Sequence, residues 1–493
     1  MNWSETNYNE YEDELYYSFV DDNTTTESNK LTLPKIVEKW TADAVLASNY
    51  NDVPAALAFF SVLGQLCKDM IAIPSNLNVD DTRIQFLWMQ TSGTGKSTLT
   101  NWFLPVLRLT FDTINEKHGT HFDIFDITDY TDAALIGSYE KRREEVEDDN
   151  GQMRRMEIDV QVPGQLEGEG MAMWDEFEYS GIFKQSQHKE QAIVYLNTFM
   201  NTLWGETWVI SKKLKQGEDP IICKCRRSVY ATTYIPKELT TVITEKGVLQ
   251  RILIFIYEVP QHQQKQMRRQ LIKDWGVVGN RALPKTTYAK NFLTLYDTLK
   301  ERFDDVGQDP LKTMRFSKNA NDALERECVL MEKYIESSRI EVFQSVETFI
   351  NRMLKHIQKM AILCAVAEAP SISDKDKRFI VTQKNVLQAS SLIRKCYKSL
   401  VSWLDESLRE EKKGLEERAN ISVFKTVYRE LKTKDGWVNK NVLFQKVREK
   451  TKKGQSTLYK WWGKIEEYFE EDKINRVVYV KLLEDNKNDK VGE

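Results

Sequence analysis

A glycine-rich turn between an apolar run and a helical pattern is the feature that most restricts how this chain can fold. The turn covers residues 90–98 (QTSGTGKST) and follows the strand-like run of residues 84–89. Gly93 and Gly95 allow backbone N–H groups to curve around a phosphate, and the helix that begins at Thr98 directs its positive end to the same point. A strand, a glycine-rich turn and a helix in this order open an α/β nucleotide-binding unit.

The side chains of this turn suit a nucleoside triphosphate. Lys96 can place its charge on the β- and γ-phosphate oxygens, and the Ser97 hydroxyl can reach Mg²⁺. Gln90 occupies the position of the first glycine in the usual pattern G-x-x-x-x-G-K-[ST], so an ordinary Gly/Ser turn is the alternative. We predict a P-loop that binds ATP with Mg²⁺. The predicted binding residues are Thr91, Ser92, Gly93, Thr94, Gly95, Lys96, Ser97 and Thr98.

Three further apolar runs, at residues 170–174, 227–233 and 250–257, predict strands. Continuous apolar runs of this length suit strands that are buried on both faces. Helical patterns precede the turn and again dominate after residue 260. The expected fold class is therefore α/β.

Shifts in composition divide the chain into segments. Residues 1–29 contain eight acidic residues and no Lys or Arg, which is typical of a solvated tail. Residues 407–418 (SLREEKKGLEER) form a charged run that is either a solvated helix end or a linker. The predicted segments are an acidic disordered tail at 1–32, a helical segment at 33–83, an α/β core at 84–260, a helical region at 261–406, a linker at 407–418, a second domain at 419–483 and a tail at 484–493.

Composition and charge exclude several classes of protein. The 493-residue chain is 41% hydrophobic, which is enough to bury a core and excludes a wholly disordered chain. Its net charge of −4 argues against a polybasic nucleic-acid coat. The longest apolar run, residues 53–67, is shorter than the ~20 residues of a membrane span, and no signal-peptide pattern begins the chain. Six scattered cysteines indicate free thiols, so we expect a soluble protein in the cytoplasm or inside a host cell, without a membrane partner.

A second, acidic site is expected because ATP hydrolysis needs carboxylates for Mg²⁺ and for the attacking water. Asp-Glu pairs occur at 13–14, 175–176 and 405–406. Only the second pair ends a predicted buried strand downstream of the P-loop. There Asp175 would hold the Mg²⁺ shell and Glu176 would polarise water. An acidic strand end at the protein surface is the alternative.

The order of these motifs resembles that of the MCM-like replicative helicases of the AAA+ class and, less closely, that of the superfamily 3 helicases of viruses and plasmids. The resemblance covers about residues 84–405. After the P-loop, the similar segments are the Walker B strand with its acidic lead-in at 166–178, a pre-sensor hairpin at 210–220, the sensor 1 strand at 227–236, the arginine-finger segment at 247–255, the helix of sensor 2 at 352–361 and the helix pair at 381–389.

The resemblance implies that the α/β core is an AAA+ ATPase core and that the helical region is its lid, in a ring of copies that we expect to be a homo-hexamer. Thr233, with Thr232 beside it, would be sensor 1, and Arg352 would be sensor 2. Arg251 would be the arginine finger, which stabilises charge on the γ-phosphoryl group and comes from a neighbouring subunit when it lies far from its own P-loop. An exposed or ion-paired surface arginine is the alternative for each arginine.

The segment 208–225 predicts a β-hairpin whose tip carries Lys212, Lys213 and Lys215. In a ring, such tips would point into the pore and follow the phosphates of single-stranded DNA without reading bases. The alternative is a solvated hairpin edge that lysines guard against aggregation. A second charged hairpin is predicted at 139–163, where acidic residues at the tip argue against phosphate contact.

Residues 419–483 resemble a winged-helix domain. Twelve basic and only three acidic residues lie between Lys425 and Lys464. The predicted recognition helix begins near Gln455 and suits duplex DNA, although a winged helix can equally bind protein. The Trp pair at 461–462 is assigned to packing. The predicted DNA-binding residues of this domain are Lys452, Lys453, Ser456, Thr457, Lys460 and Lys464.

These features predict an ATP- and Mg²⁺-driven, ring-forming DNA helicase in replication, of the initiator-helicase type of a virus, plasmid or mobile island, able to load itself at an origin. The first alternative is an AAA+ remodeller or helicase loader, which hydrolyses ATP without separating strands. The second is a non-catalytic DNA-binding initiator with a degenerate ATPase, against which the intact P-loop and the Asp175–Glu176 pair count. The hairpin lysines discriminate between helicase and loader, because a loader would not need them.

Overall fold

The computed structural model describes residues 31–48, 51–74, 79–127, 131–147, 153–177, 190–205, 208–212, 221–235, 249–274, 285–336, 340–369 and 378–483. The chain forms two compact units, Met1–Leu404 and Asp405–Glu493. The boundary between these units lies close to the predicted start of the linker. Within the described ranges, no helix is long and apolar enough to cross a membrane.

Helices occupy both of the segments of the first unit that the sequence predicts to be helical. The α-helices are α1 (Lys35–Ser48), α2 (Asp52–Cys67), α3 (Lys96–His118), α4 (Asp132–Ile136), α5 (Glu190–Phe199), α6 (Gln261–Asp274), α7 (Lys285–Asp305), α8 (Lys318–Glu336), α9 (Ile340–Glu368), α10 (Gln383–Leu431), α11 (Lys440–Thr451) and α12 (Gln455–Ile465). Short 3₁₀ turns lie at Leu249–Arg251 and Glu466–Tyr468.

Strands of the described residues form one six-stranded sheet and four smaller sheets. The strands are β1 (Ile73–Pro74), β2 (Val79–Asp80), β3 (Phe86–Gln90), β4 (Phe122–Asp126), β5 (Gly137–Glu147), β6 (Met153–Pro163), β7 (Gly168–Trp174), β8 (Trp208–Lys212), β9 (Ile221–Thr233), β10 (Leu253–Tyr257), β11 (Met314–Phe316), β12 (Phe379–Val381), β13 (Val438–Asn439), β14 (Phe469–Ile474) and β15 (Val477–Leu482). The smaller sheets pair β1 with β2, β5 with β6 and β11 with β12, and join β13, β15 and β14 in that order.

The central sheet confirms the predicted α/β class. Its five parallel strands lie in the order β10–β3–β9–β7–β4, and β8 pairs antiparallel with the first part of β9. The register places Phe86 of β3 opposite Leu253 of β10 and Tyr230 of β9. All four predicted strands are present. Strand β4 (FDIFD) is not among the predicted strands, because its two aspartates interrupt the apolar pattern.

The predicted N-terminal helical segment packs on α3, the helix that follows the glycine-rich turn. Val53 to Cys67 of α2 are all buried, which fits the apolar character of this helix on every side. On α1, the ring of Trp40 lies 4.7 Å from that of Trp102 on α3 and 5.0 Å from that of Tyr288 on α7. One aromatic cluster therefore joins the N-terminal helices, α3 and the first long helix of the predicted lid.

Packing between strands explains why glycine occupies two positions in the acidic segment before Asp175. Gly168 and Gly170 on β7 have φ of 104° and 126°, in the left-handed region. A Cβ at Gly168 would lie 2.5 Å from Nη2 of Arg227, whose guanidinium pairs with Asp123 on β4. A side chain at position 168 would make this guanidinium shift, whereas a Cβ at Gly170 would lie 2.0 Å from the backbone oxygen of Asp123, so the close approach of β7 and β4 requires glycine at position 170.

The second unit combines the end of α10 with α11, α12 and the antiparallel sheet β13–β15–β14. Trp462 is 3% exposed, and its ring lies 5.5 Å from that of Phe424 and 4.9 Å from that of Phe469, so the predicted packing role is confirmed. Helix α10 continues through residues 407–418, the predicted linker. The Glu, Lys, Arg and Leu residues that dominate this segment are strong helix formers, and Gly414 alone opposes them.

Candidate functional site

The predicted P-loop joins the buried strand β3 to α3. Gly93 and Gly95 have φ of 72° and 85°, a left-handed conformation that glycine adopts without a Cβ clash. Gly95 is the N-cap of α3, and the helix begins at Lys96, two residues before its predicted start at Thr98. The turn therefore presents the N-terminus of a 23-residue helix at the carboxyl edge of the parallel sheet, where anions are stabilised.

Gln90 braces the turn from within. Its side chain accepts a hydrogen bond from Nε1 of Trp88 at 3.1 Å and donates one to Oγ1 of Thr94 at 2.8 Å. Thr94 in turn donates to the backbone oxygen of Thr91 at 2.5 Å. The residue that departs from the usual P-loop pattern is thus fully buried and holds the middle of the loop, which explains how the turn keeps its shape without the first glycine.

The side chain of Lys96 reaches back to the first residue of the turn. Its Nζ donates to the backbone oxygen of Gln90 at 3.0 Å, and the residue is half-buried. Because lysine carries its charge on a flexible stem, Nζ can leave this carbonyl for a phosphate oxygen without a change in the backbone. Thr94 is buried and Gly95 is half-buried. The exposed residues of the turn are Thr91, Ser92, Gly93, Ser97 and Thr98.

The predicted acidic pair lies at the same edge of the sheet. Asp175 and Glu176 are exposed and directly follow β7, and the Glu176 amide donates to Asp175 Oδ1 at 3.1 Å. Strand β9 lies between β3 and β7, and Thr232 near its end donates a hydrogen bond to the Asp175 carboxylate. Thr233, the residue that we assign to sensor 1, is buried and pairs in register with Met89. Thr232, the residue before it, is the one with a hydrogen bond to Asp175.

This edge also offers a donor set that suits Mg²⁺. The Ser97 hydroxyl and the Asp175 carboxylate are hard oxygen ligands, and both are exposed. In the described part of the chain, no cluster of three or more His, Cys, Asp or Glu residues could bind a metal by itself. Mg²⁺ generally uses one or two protein oxygens together with phosphates and water, so the residues present fit a nucleotide-bound Mg²⁺.

Arg251 and Arg352, which are 101 positions apart in sequence, line one cavity of about 210 Å³. Arg251 ends the 3₁₀ turn before β10, and its guanidinium donates to the side-chain oxygens of Asn201 at 2.8 Å and Asn197 at 3.1 Å. Arg352 lies on α9. Other residues of the cavity wall include Asp80, Thr202, Lys355, His356 and Lys359.

The cavity lies near the amino ends of the parallel strands of the central sheet, and the P-loop lies at their carboxyl ends. Arg251 precedes β10, whose first residue, Leu253, is opposite Phe86 at the start of β3, whereas the P-loop follows Gln90 at the end of β3. The four residue steps of β3 span about 13 Å at about 3.3 Å each. The structure therefore brings the two predicted arginines together and keeps Arg251 away from the P-loop of its own chain.

The electrostatics of this cavity favour an anion. Burial, followed by the charge of Arg352, lowers the pKa of Arg251. Burial also lowers the pKa of Lys359 to about 8 and that of His356 to about 3, and among the charges that lower the pKa of the histidine Lys359 has the largest effect. Asp80 is the acidic residue of the cavity wall, and its Oδ2 accepts from Lys355 Nζ at 2.8 Å. Positive charge thus exceeds negative charge around a cavity that is partly shielded from water.

Two antiparallel hairpins are present where the sequence predicts them. Strand β8 pairs with β9, with Lys212 opposite Ile221, and β5 pairs with β6. Lys213 and Lys215, together with the predicted turn of the second hairpin at 148–151, lie outside the described residues. Gln161 Nε2 of β6 donates to the backbone oxygen of Ile222 in β9 at 2.7 Å, so a hydrogen bond links the two hairpins.

The second unit carries its predicted DNA-binding residues on one helix and the turn before it. Lys452 and Lys453 lie in the turn between α11 and α12, and Thr457 is half-buried. Three other lysines of the unit form ion pairs with glutamates: Lys440 with Glu471, Lys446 with Glu449 and Lys450 with Glu430. The predicted residues whose side chains are exposed are Lys452, Lys453, Ser456, Lys460 and Lys464.

No protein-family model matches the chain, and no curated protein is significantly similar to it in sequence.

Proposed function

We propose that the chain is an ATP- and Mg²⁺-dependent DNA helicase built on an AAA+ ATPase core. The observation that carries the ATPase part is the shared edge of the sheet. The P-loop follows β3, Asp175 and Glu176 follow β7, and Thr232 of the intervening strand is bonded to the Asp175 carboxylate. The residues that would bind phosphate, hold the metal ion and polarise water thus lie where parallel α/β sheets usually bind their ligands, which supports the proposal.

Each residue at this edge would have a distinct task in hydrolysis. Lys96 and the N-terminus of α3 would stabilise the negative charge of the β- and γ-phosphates. Ser97 and Asp175 would hold Mg²⁺, which when bound neutralises charge on the same phosphates. Glu176 would orient and polarise the attacking water. The sensor role would fall to the end of β9, at Thr232 and Thr233.

The position of the two arginines supports a ring. Because they lie at the edge opposite the P-loop, a nucleotide that Arg251 contacts must be bound to another copy of the chain. A head-to-tail contact of this kind, repeated with a rotation that closes, generates a cyclic oligomer. We propose a homo-hexamer in which Arg251 acts as the finger and Arg352 as sensor 2 for the neighbouring nucleotide.

DNA would be engaged at two places. The hairpin formed by β8 and β9 would carry Lys212, Lys213 and Lys215 into the pore, where point charges follow the phosphates of a single strand. The second unit would act as a winged-helix domain with α12 as its recognition helix. In support, helices α11 and α12 pack beside a three-stranded antiparallel sheet, and the exposed side of α12 is basic.

Replacing Lys212, Lys213 and Lys215 together with Ala is expected to abolish strand separation while ATP hydrolysis in the absence of DNA persists. Each phosphate contact removed should also lower the salt slope of single-strand binding by about one unit. The measurements are strand displacement, and ATPase rates with and without single-stranded DNA.

A matched control removes three exposed basic residues from the other hairpin, Lys141, Arg142 and Arg143, and should leave DNA stimulation unchanged. If the first triple variant separated strands at the wild-type rate, the pore-hairpin mechanism would be excluded. The remodeller or loader interpretation would then be preferred.

Replacing Lys452, Lys453, Lys460 and Lys464 with Ala should weaken duplex binding and reduce its salt dependence by up to about four units, one for each phosphate contact. The control replaces Lys440, Lys446 and Lys450, which are already paired with glutamates and should contribute little. The measurement is a titration of duplex DNA at several salt concentrations. Equal losses in the two variants would indicate that α12 does not face DNA and would favour a protein partner.

A further inference from the structure

One face of α9 supplies most of the positive charge of the arginine cavity. Arg352, Lys355 and Lys359 are spaced by three and four residues, and residues at these spacings lie above one another on a helix. All three line the cavity together with Arg251, which reaches it from the turn before β10. The two arginines therefore account for only half of the cavity's Arg and Lys side chains.

Lys359 is placed to bind a ligand in this cavity. It is 5% exposed, and its Nζ donates to Thr202 Oγ1 and to the backbone oxygen of Arg83, the latter at 3.4 Å. Both acceptors are uncharged, so its buried charge is solvated without a carboxylate in contact. An ammonium donates three hydrogen bonds, so both contacts can persist while the third is made to an anion.

Lys355 is held by a carboxylate that an incoming anion would have to replace. Its Nζ lies 2.8 Å from Asp80 Oδ2, and the Asp80 side chain is 7% exposed. The neighbouring residue Asp81 forms a separate, fully buried ion pair with Arg83 at 2.8 Å. Asp80 is thus the acidic group that faces the cavity, and it is paired with a lysine whose side chain is 33% exposed and can meet an incoming ligand.

We propose that Lys355 and Lys359 join Arg251 and Arg352 as ligands of a terminal phosphate group, and that Asp80 is a competing anion that holds Lys355 when the cavity has no phosphate. The assignment of this phosphate to a nucleotide on the neighbouring copy rests on the proposed function. We call these four side chains the phosphate receptor. Its affinity for phosphate does not depend on the proposed function, because two guanidinium and two ammonium groups can bind the oxygens of any phosphate that enters the cavity. Entry of the phosphate transfers Lys355 from the Asp80 carboxylate to the ligand.

The receptor is tested by titrating inorganic phosphate into the full chain carrying Lys96→Ala, so that the P-loop contributes little. Lys355→Gln and Lys359→Gln should each weaken phosphate binding by about tenfold or more, the size of one charge-assisted contact. Lys384→Gln, which removes an exposed lysine paired with Glu368, should leave phosphate binding unchanged. Binding that is unchanged in both of the first two variants would overturn the proposal.

The variant Asp80→Asn shows whether weaker phosphate binding in the lysine variants could be due to misfolding. It keeps the shape of the side chain, removes the competing charge and should strengthen phosphate binding several-fold, which a damaged fold cannot do. Weaker binding in this variant would contradict the role of Asp80 as a competitor.

A second experiment distinguishes a neighbouring nucleotide from dissolved phosphate. Lys96→Ala chains and Lys359→Gln chains are each expected to be deficient in ATP hydrolysis. Mixed together, they should regain activity, because an intact P-loop on one copy then faces an intact receptor on the next. If phosphate binding depends on Lys359 but the mixture stays inactive, the neighbouring-nucleotide source is overturned and dissolved phosphate is the ligand. A chain without any ATPase activity would instead contradict the proposed function and leave the phosphate titration valid.

Discussion

Replacing Lys96 with Ala is expected to lower ATP hydrolysis by at least about 100-fold, the usual effect of removing one preorganised charge from a transition state. Lys96 stands at the first position of α3 with Nζ 3.0 Å from the backbone oxygen of Gln90, at the start of the glycine-rich turn. The loop itself should survive, because Gln90 and Thr94 brace it independently of the lysine. The measurement is phosphate release with Mg²⁺ and ATP in excess.

The matched control is Arg108→Ala, which removes an exposed cation from the same helix, a little over three turns further along. It should keep the wild-type rate. A Lys96→Ala rate within a few-fold of wild type would show that the glycine-rich turn is not the catalytic nucleotide site.

Replacing Arg251 with Ala is expected to reduce hydrolysis by about 1,000-fold or more, the range observed when a finger arginine is lost. Because Arg251 lies at the sheet edge opposite its own P-loop, the proposed ring predicts that its loss disables the site of the next copy. Mixing the variant with wild-type chains should therefore lower activity more steeply than the fraction of variant chains alone would do. ATPase rates across a series of mixing ratios provide the measurement.

Arg269→Ala serves as the control for this series, since it removes an exposed arginine from α6. Its mixtures should show wild-type activity at every ratio. A strictly linear decline for Arg251→Ala mixtures, matching simple dilution, would contradict action between subunits.

The parts of this molecule that local sequence pattern could predict are those built from neighbouring residues. The P-loop, the strands of the two hairpins and the buried strands are each encoded within a run of fewer than about 15 residues. Glycines, continuous apolar residues, or alternation of apolar and polar residues specify the backbone of each run. Gly168 and Gly170 belong to the acidic segment 166–178, which the sequence also reveals. The reason for Gly170, the backbone of Asp123 lying against it, needed the structure because the two residues belong to different strands.

Features that depend on distant parts of the chain could not be predicted in this way. The cavity joins the turn before β10 to a face of α9 about 100 residues later, and the spacing of Lys355 and Lys359 after Arg352 says nothing about what they face. Gln90 illustrates the same limit at short range. The sequence shows only a missing glycine, whereas the structure shows an amide held between Trp88 and Thr94. The hydrogen bond from Thr232 to Asp175 likewise joins the ends of two neighbouring strands, and strand register, not sequence order, decides such a contact.

Strand displacement on a forked duplex tests the central claim most directly. In the presence of ATP and Mg²⁺, the wild-type chain should separate the strands of a fork with a single-stranded arm of one polarity. Glu176→Gln should bind the same fork but fail to separate it, since the attacking water is no longer polarised. If DNA stimulates ATP hydrolysis by the wild-type chain but no strand is released from forks of either polarity, the protein is not a helicase. The interpretation as a remodeller or loader would then be preferred.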